Sequence, residues 1–341
     1  MKTSTSKRLR WNIAIWLAAG LFMTGAAGMA AGPIMPDPKA EARHQPQIEE
    51  TANGIPLVNI TAPSSGGVSR NEYETFNVPD KGAILNNSYT LSKTELAGYV
   101  PGNNNMAERP AKIIVNEVTG TGSTSMDGFL EVAGNRADVV IANPNGITVN
   151  GGGFINTGKA FLTTGKPVYD GEDHLQRFDI TGGDILIEGK GLGGKETESL
   201  AILSRAVKIN AGIWAKDLHI TTGANTVDAK TLEASAIEGK GGRPAFALDT
   251  AAIGGMYAGR ITLVGTEKGL GVNNSGTWSA EDNLTLDWNG DLKNSGTIYS
   301  KGNADLRASH LENDKTIAAE RNLSAAAKEN IRNQGKLLAG E

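Results

Sequence analysis

From Val272 onward the chain repeats itself about every twenty residues, and a repeat of that length constrains the fold more than any local propensity does. Val272-Asn-Asn-Ser-Gly276, Leu292-Lys-Asn-Ser-Gly296, Leu311-Glu-Asn-Asp-Lys315 and Ile331-Arg-Asn-Gln-Gly335 occupy equivalent places. A second series interleaves with it: Asn283-Leu284-Thr-Leu286, Asn303-Ala304-Asp-Leu306 and Asn322-Leu323-Ser-Ala325. A third apolar position follows each turn, at Trp278, Ile298, Ile317 and Leu337. Each period therefore supplies three short alternating segments separated by Asn/Gly turns.

Alternation within a segment sends successive side chains to opposite faces, so one apolar set can line a tube while the polar set meets water. Coiling such segments gives a parallel β-helix, in which strands of successive coils lie about 4.8 Å apart and each coil buries the face of the next. Asparagines at equivalent turn positions can then stack into ladders. Asn322 to Arg332 is alanine-rich enough to suggest an amphipathic helix, but the matching asparagines around it favour the repeat, because propensity is the weaker prior. The last repeat stops at Glu341 just after it begins, which leaves the expectation that the natural protein continues beyond this chain or that the chain is a truncated product.

The same style runs back through the middle less regularly. Asn210-Ala-Gly-Ile-Trp214-Ala-Lys-Asp-Leu218-His-Ile220 reads like the coil from Asn274 to Leu286, with Trp214 in the place of Trp278. Asp184 to Ile187 and Ile261 to Val264 are further strand candidates. Asp138-Val-Val-Ile-Ala142 runs into Asn143-Pro-Asn-Gly146 and out through Ile147-Thr-Val149. Pro144 fixes φ at the first corner, Asn145 tolerates the second and Gly146 releases the chain, so this is a strongly specified turn between strands. Composition agrees: 44 glycines and few aromatics suit many short strands and tight turns.

The N-terminus sets the compartment. Lys2, Lys7, Arg8 and Arg10 precede an uncharged apolar run from Trp11 to Met29, and small residues close it. This is the pattern of a secretory signal peptide over residues 1–31, with cleavage after Ala30 or Ala31. Removing it takes four positive charges from a chain of net charge -4, leaving -4 - 4 = -8. A nucleic-acid partner is not expected of so acidic a chain, since phosphate binding needs clustered Lys and Arg. There is no cysteine, so stability must come from burial and backbone pairing rather than from disulfides.

Several ordered stretches resemble the secretion domain of two-partner secretion exoproteins, a group that includes filamentous haemagglutinin-like adhesins and contact-dependent growth-inhibition proteins. They are Gly66 to Val78, Ile114-Val-Asn-Glu-Val118, Glu131-Val-Ala-Gly134, Val140-Ile-Ala-Asn-Pro-Asn-Gly-Ile147 and Leu162-Thr-Thr-Gly-Lys-Pro167. The resemblance implies an all-β chain, a right-handed parallel β-helix with an N-terminal cap and extra-helical β-hairpin elements. It places the secretion domain over residues 32–270 and the start of an adhesin stalk over 271–341. It also implies recognition in the periplasm by the soluble domains of an outer-membrane β-barrel transporter, after export by the Sec machinery from a Gram-negative cytoplasm.

The family's two asparagine motifs map onto this sequence unequally. Asn143, Pro144, Asn145, Gly146 and Ile147 carry the second intact. The first falls on Asn103, Asn104, Asn105 and Met106, with Asn104 where the family has proline, a departure that weakens the rigid turn. Both motifs are also what any β-helix corner needs. Some growth-inhibition members carry a cysteine pair after the second motif, where this chain has Asn150-Gly-Gly-Gly-Phe154, and that absence tilts towards adhesins.

Catalytic chemistry finds little support. Gly189-Lys-Gly-Leu-Gly-Gly-Lys195 has phosphate-loop spacing, but Glu196 stands where Ser or Thr would ligate magnesium. His44, His174, His219 and His310 are mutually isolated, lack metal-ligand spacing and are expected on the surface or at corners. Glu49-Glu50 and Glu196 to Glu198 have no evident partner, and no nucleophile elbow occurs. No enzyme, cofactor or metal is expected. The sequence thus predicts a secreted or surface-displayed adhesin whose stalk meets host-cell or bacterial surface receptors. The alternative is the stalk of a growth-inhibition toxin whose toxic domain lies elsewhere, and a β-helical polysaccharide lyase is the least supported reading.

Overall fold

The computed structural model describes residues 32–106 and 109–340; the segment expected to be a signal peptide, with Ala30 and Ala31, lies outside them. Short parallel strands coil into a tube with three sheets, each strand pairing with its counterpart one coil away. The three series read from the repeats each become one sheet. In the first, Ile213, Met256, Trp278, Ile298, Ile317 and Leu337 pair in register. In the second, Ile141, Leu162, Ile202, Ile220, Leu263, Leu286 and Leu306 form a continuous column of buried side chains. In the third, Ile147, Ile185, Val207, Leu248, Val272, Leu292, Leu311 and Ile331 follow one another.

These columns follow from the period of two: every second residue of a strand faces the axis, and in-register stacking puts apolar on apolar. One core cluster accordingly runs from Ile34 to Ile317 without interruption. Leu323 to Asn333 is a strand rather than the competing helix. Its backbone is held by nine register pairs to the coil below, which outweighs alanine's local preference.

One column changes character along the tube. Met126, Val149, Ile187 and Ile209 are apolar, Thr250 follows, and from Asn274 the position is asparagine. The Asn274 Nδ2 donates to Asn294 Oδ1 at 2.8 Å, Asn294 to Asn313 at 2.8 Å and Asn313 to Asn333 at 2.7 Å. Asn274, Asn294 and Asn313 are wholly buried, and the ladder satisfies groups that would otherwise be costly there.

The N-terminal end is closed by antiparallel pairing: Ile34–Pro36 pairs with Val68–Phe76, and Gln47–Glu50 with Pro56–Asn59. Two antiparallel elements lie outside the tube. The hairpin Ser92–Thr94 with Gly98–Val100 rests on Leu57, Ile84 and Ala133. A four-stranded sheet of Lys166–Tyr169, Leu175–Ile180, Asn225–Asp228 and Ala234–Ala236 buries Phe178, Ile180 and Val227 against the outward residues Val115, Val140 and Phe161. The apolar outward positions of these coils are therefore a second core.

The coil comparison needs correction by one residue. Ile209, not Asn210, belongs to the column that leads to Asn274, and Ile213, not Trp214, is in register with Trp278. A slip of one exchanges the two faces of a strand. Trp278 is wholly buried, whereas Trp214 stands on the outside, partly exposed.

Candidate functional site

The second asparagine motif forms the corner between Ala137–Ala142 and Ile147–Val149. Asn143 is wholly buried, and its Nδ2 donates to the Gly122 carbonyl at 2.9 Å and to Thr124 Oγ1 at 3.0 Å in the preceding coil. Its Oδ1 accepts from the Asn145 backbone N–H at 2.9 Å, an Asx turn. Asn145 Nδ2 reaches back to the Gly120 carbonyl at 2.8 Å, and the Gly146 N–H closes the turn on the Asn143 carbonyl at 3.1 Å. Gly146 has φ 114°, a conformation open to glycine and strained for other residues. Pro144 and Asn145 are exposed while Asn143, Gly146 and Ile147 are buried, so the corner offers Pro144 and Asn145 to the surface on an anchored base.

The first motif repeats this wiring without proline. Asn103 is buried and its Nδ2 donates to the carbonyls of Ile60 and Asn86, both at 2.9 Å. Its Oδ1 accepts from the Asn105 N–H at 2.9 Å, Asn105 Nδ2 donates to the Ile60 carbonyl at 3.1 Å, and the Met106 N–H bonds the Asn103 carbonyl at 3.1 Å. The Asx bond and the closing backbone bond at Asn103 thus match those at Asn143, although Asn104 stands where Pro144 does. The two motifs do not converge. Asn103 to Met106 joins the first sheet to the second, and Asn143 to Ile147 joins the second to the third.

Residues that sequence reasoning passed over lock the early coils. Glu131 is buried, and its carboxylate accepts from the N–H groups of Glu95 (2.7 Å) and Leu96 (2.9 Å), pinning the tip of the Ser92–Val100 hairpin. Burial pushes this carboxyl up, against those two bonds, which pull it down. Arg70 lies 2.9 Å from Glu72 and 3.3 Å from Glu117, the latter without hydrogen-bond geometry, and its guanidinium sits 4.4 Å over the Tyr169 ring. Burial raises the Glu117 carboxyl, with Arg70 opposing. His44 Nδ1 approaches Glu72 at 3.0 Å, so cap, first coils and side sheet meet at one charged cluster. No spacing rule exposes such a cluster, since its members are brought together from four separate segments.

Two expectations about charged groups are corrected here. His44 is buried and ion-paired rather than on the surface, and burial followed by Arg70 lowers its pKa. His219 is largely buried on the outer face of its strand, hydrogen-bonded to Thr221 at 2.8 Å, and burial lowers its pKa to about 4. Glu198 has a partner after all, Arg136 at 3.2 Å. The glycine-rich segment from Gly189 turns at Gly191 and enters the strand Leu192–Gly194, where a phosphate loop would open onto a helix.

A capped parallel β-helix, with antiparallel side elements over its first coils and asparagine corners anchored to the coil before, is the architecture of a secretion domain from a β-helical exoprotein. The chain belongs to the TPS (two-partner secretion) family: the family model described as the TPS secretion domain matches residues 33–300. The structure is similar to a crystal structure of a filamentous hemagglutinin secretion domain, with a TM-score of 0.68 and 29% identity, covering 91% of this chain and 100% of that one. Toxin CdiA of Yersinia pestis is 42% identical over 297 residues, 80% of this chain and 9% of that protein. The 16S rRNA endonuclease CdiA of Enterobacter cloacae is 43% identical over 272 residues, 77% of this chain and 8% of that protein. The tRNA nuclease CdiA of Yersinia mollaretii is 40% identical over 318 residues, covering 92% and 11%. The chain spans about a tenth of the length of these curated relatives.

Proposed function

We propose that this chain is the secretion address of a large exported exoprotein, read in the periplasm by the soluble domains of an outer-membrane β-barrel partner. The observation that carries the proposal is the corner at Asn143 to Ile147. Asn143 is committed to the coil below it, and Pro144 and Asn145 are left at the surface on a rigid base. Residues 1–31 serve export through the Sec machinery, and the repeats from residue 271 begin a stalk. We assign the chain no catalytic step, because the matched region is a secretion domain.

Of the two exoprotein classes, the growth-inhibition reading draws support from relatives named as CdiA toxins at 40–43% identity. The adhesin reading draws on the haemagglutinin domain at 29%. Either way the toxic or receptor-binding part belongs to the rest of the protein. The test is binding of the chain to the purified periplasmic domains of its partner. Saturable binding is expected, and the same affinity for the periplasmic domains of an unrelated barrel would overturn the assignment.

A further inference from the structure

The outer face of the first sheet carries a feature that neither the coil core nor the secretion turns use. Outward positions of successive coils run Phe129, Gly153, Gly193, Trp214, Tyr257, Ser279 in register. Trp214 and Tyr257 are each preceded two residues earlier by glycine, Gly212 and Gly255. A Cβ on Gly212 would meet the Trp214 ring at 2.5 Å, and one on Gly255 would meet the Tyr257 hydroxyl at 2.8 Å and its ring at 2.9 Å. The glycines therefore let both rings lie down on the sheet. The rings sit 6.2 Å apart with their planes within 17°, two tiles of one flat aromatic surface.

The Tyr257 end of that surface lines an open groove of about 430 Å³, within the size range of small-ligand sites. Lys195, Lys216, Ser279 and Glu281 line it with Tyr257. Among the described residues neither ammonium is ion-paired to a carboxylate, whereas Glu281 is held by Lys301. A flat apolar surface two rings long, with hydroxyl-binding groups and cations at its edge, matches the C–H face and the substituents of a pyranose chain. It lacks the deep apolar pocket that a peptide side chain would need. The chain is acidic overall, so two unpaired cations here are a local preference and not a general attraction for anions.

We propose that Trp214, Tyr257, Lys195 and Lys216 form a binding site for an anionic oligosaccharide, its sugar faces on the rings and its carboxylate or sulfate on the lysines. The test is calorimetric titration of the full chain with three hexasaccharides: uronate, sulfated and neutral glucan. At least one anionic sugar is expected to bind, about tenfold or more tighter than the glucan. Binding by the uronate or by the sulfated sugar identifies the charged group. Tyr257→Ala is expected to weaken binding about tenfold with unchanged circular dichroism and melting. Trp214→Phe should retain affinity that Trp214→Ala loses, and the double variant Lys195→Ala, Lys216→Ala should remove the preference for charge. No binding of any sugar, equal binding of the glucan, or anion binding that survives Tyr257→Ala would overturn the site.

Discussion

Asn104 occupies the place that Pro144 occupies at the other asparagine corner, yet the Asx bond and the backbone bond that close the two turns are alike. Among the described hydrogen bonds the Asn104 N–H donates none, and Asn143 shows that the preceding asparagine accommodates a proline. Asn104→Pro should therefore stabilise the chain by about 0.4–1 kcal/mol through the unfolded state, read as a raised urea midpoint with unchanged slope. Asn143→Ala should do the reverse, costing about 1–3 kcal/mol, because it strips the buried Thr124 hydroxyl of its donor and the Asn145 N–H of its acceptor.

His219 gives the residue scale a pH signature. Folded, it binds its proton less readily than the unfolded chain, so stability present above pH 6.5 is lost as pH falls towards about 4, and the loss levels off below that. The loss amounts to about 3 kcal/mol at most. Glu117, Glu131 and Asp138 are all raised by burial and act in the opposite sense, gaining stability as pH falls. The contribution of the histidine is therefore the difference between the parent and His219→Gln. Urea midpoints of the two should diverge between pH 6.5 and 4 and run parallel outside that window.

At the scale of elements, the repeats were legible because every coil restates the same three strands, and the three interleaved series became the three sheets. Irregular coils were less legible: a single-residue offset at Ile209 and Asn210 put Trp214 on the wrong face, since apolar residues occupy both faces there. The charged cluster at Arg70 could not be read from spacing, because burial of Glu117 depends on a side sheet whose strands come from residues 166–236. The wiring of the asparagine motifs was half legible, the turn from its residue types and the bonds to earlier coils only from the fold. Two elements carry their own predictions. Asn294→Ala removes the middle of the ladder and should cost about 1–3 kcal/mol, more than Asn333→Ala at its exposed end. Glu131→Gln should raise hydrogen exchange of Glu95 and Leu96 at the hairpin tip while leaving the tube protected, since an amide offers one acceptor where the carboxylate offers two.

At the scale of the molecule, the tube is a stack in which each coil leans on its neighbours, so order can propagate from the capped end. The cap, the side sheet and the charged cluster all lie on the early coils. A chain that crosses a membrane unfolded and rebuilds on its first coils would need such a base, and the asparagine corners sit within those early coils. The most direct measurement is release of this chain from cells with and without the outer-membrane partner, comparing the parent with Asn145→Ala, whose side chain is exposed at the turn. Partner-dependent release of the parent that falls in the variant, with the variant's β-rich circular dichroism intact, is the predicted result. Release of the parent that is the same without the partner would contradict it.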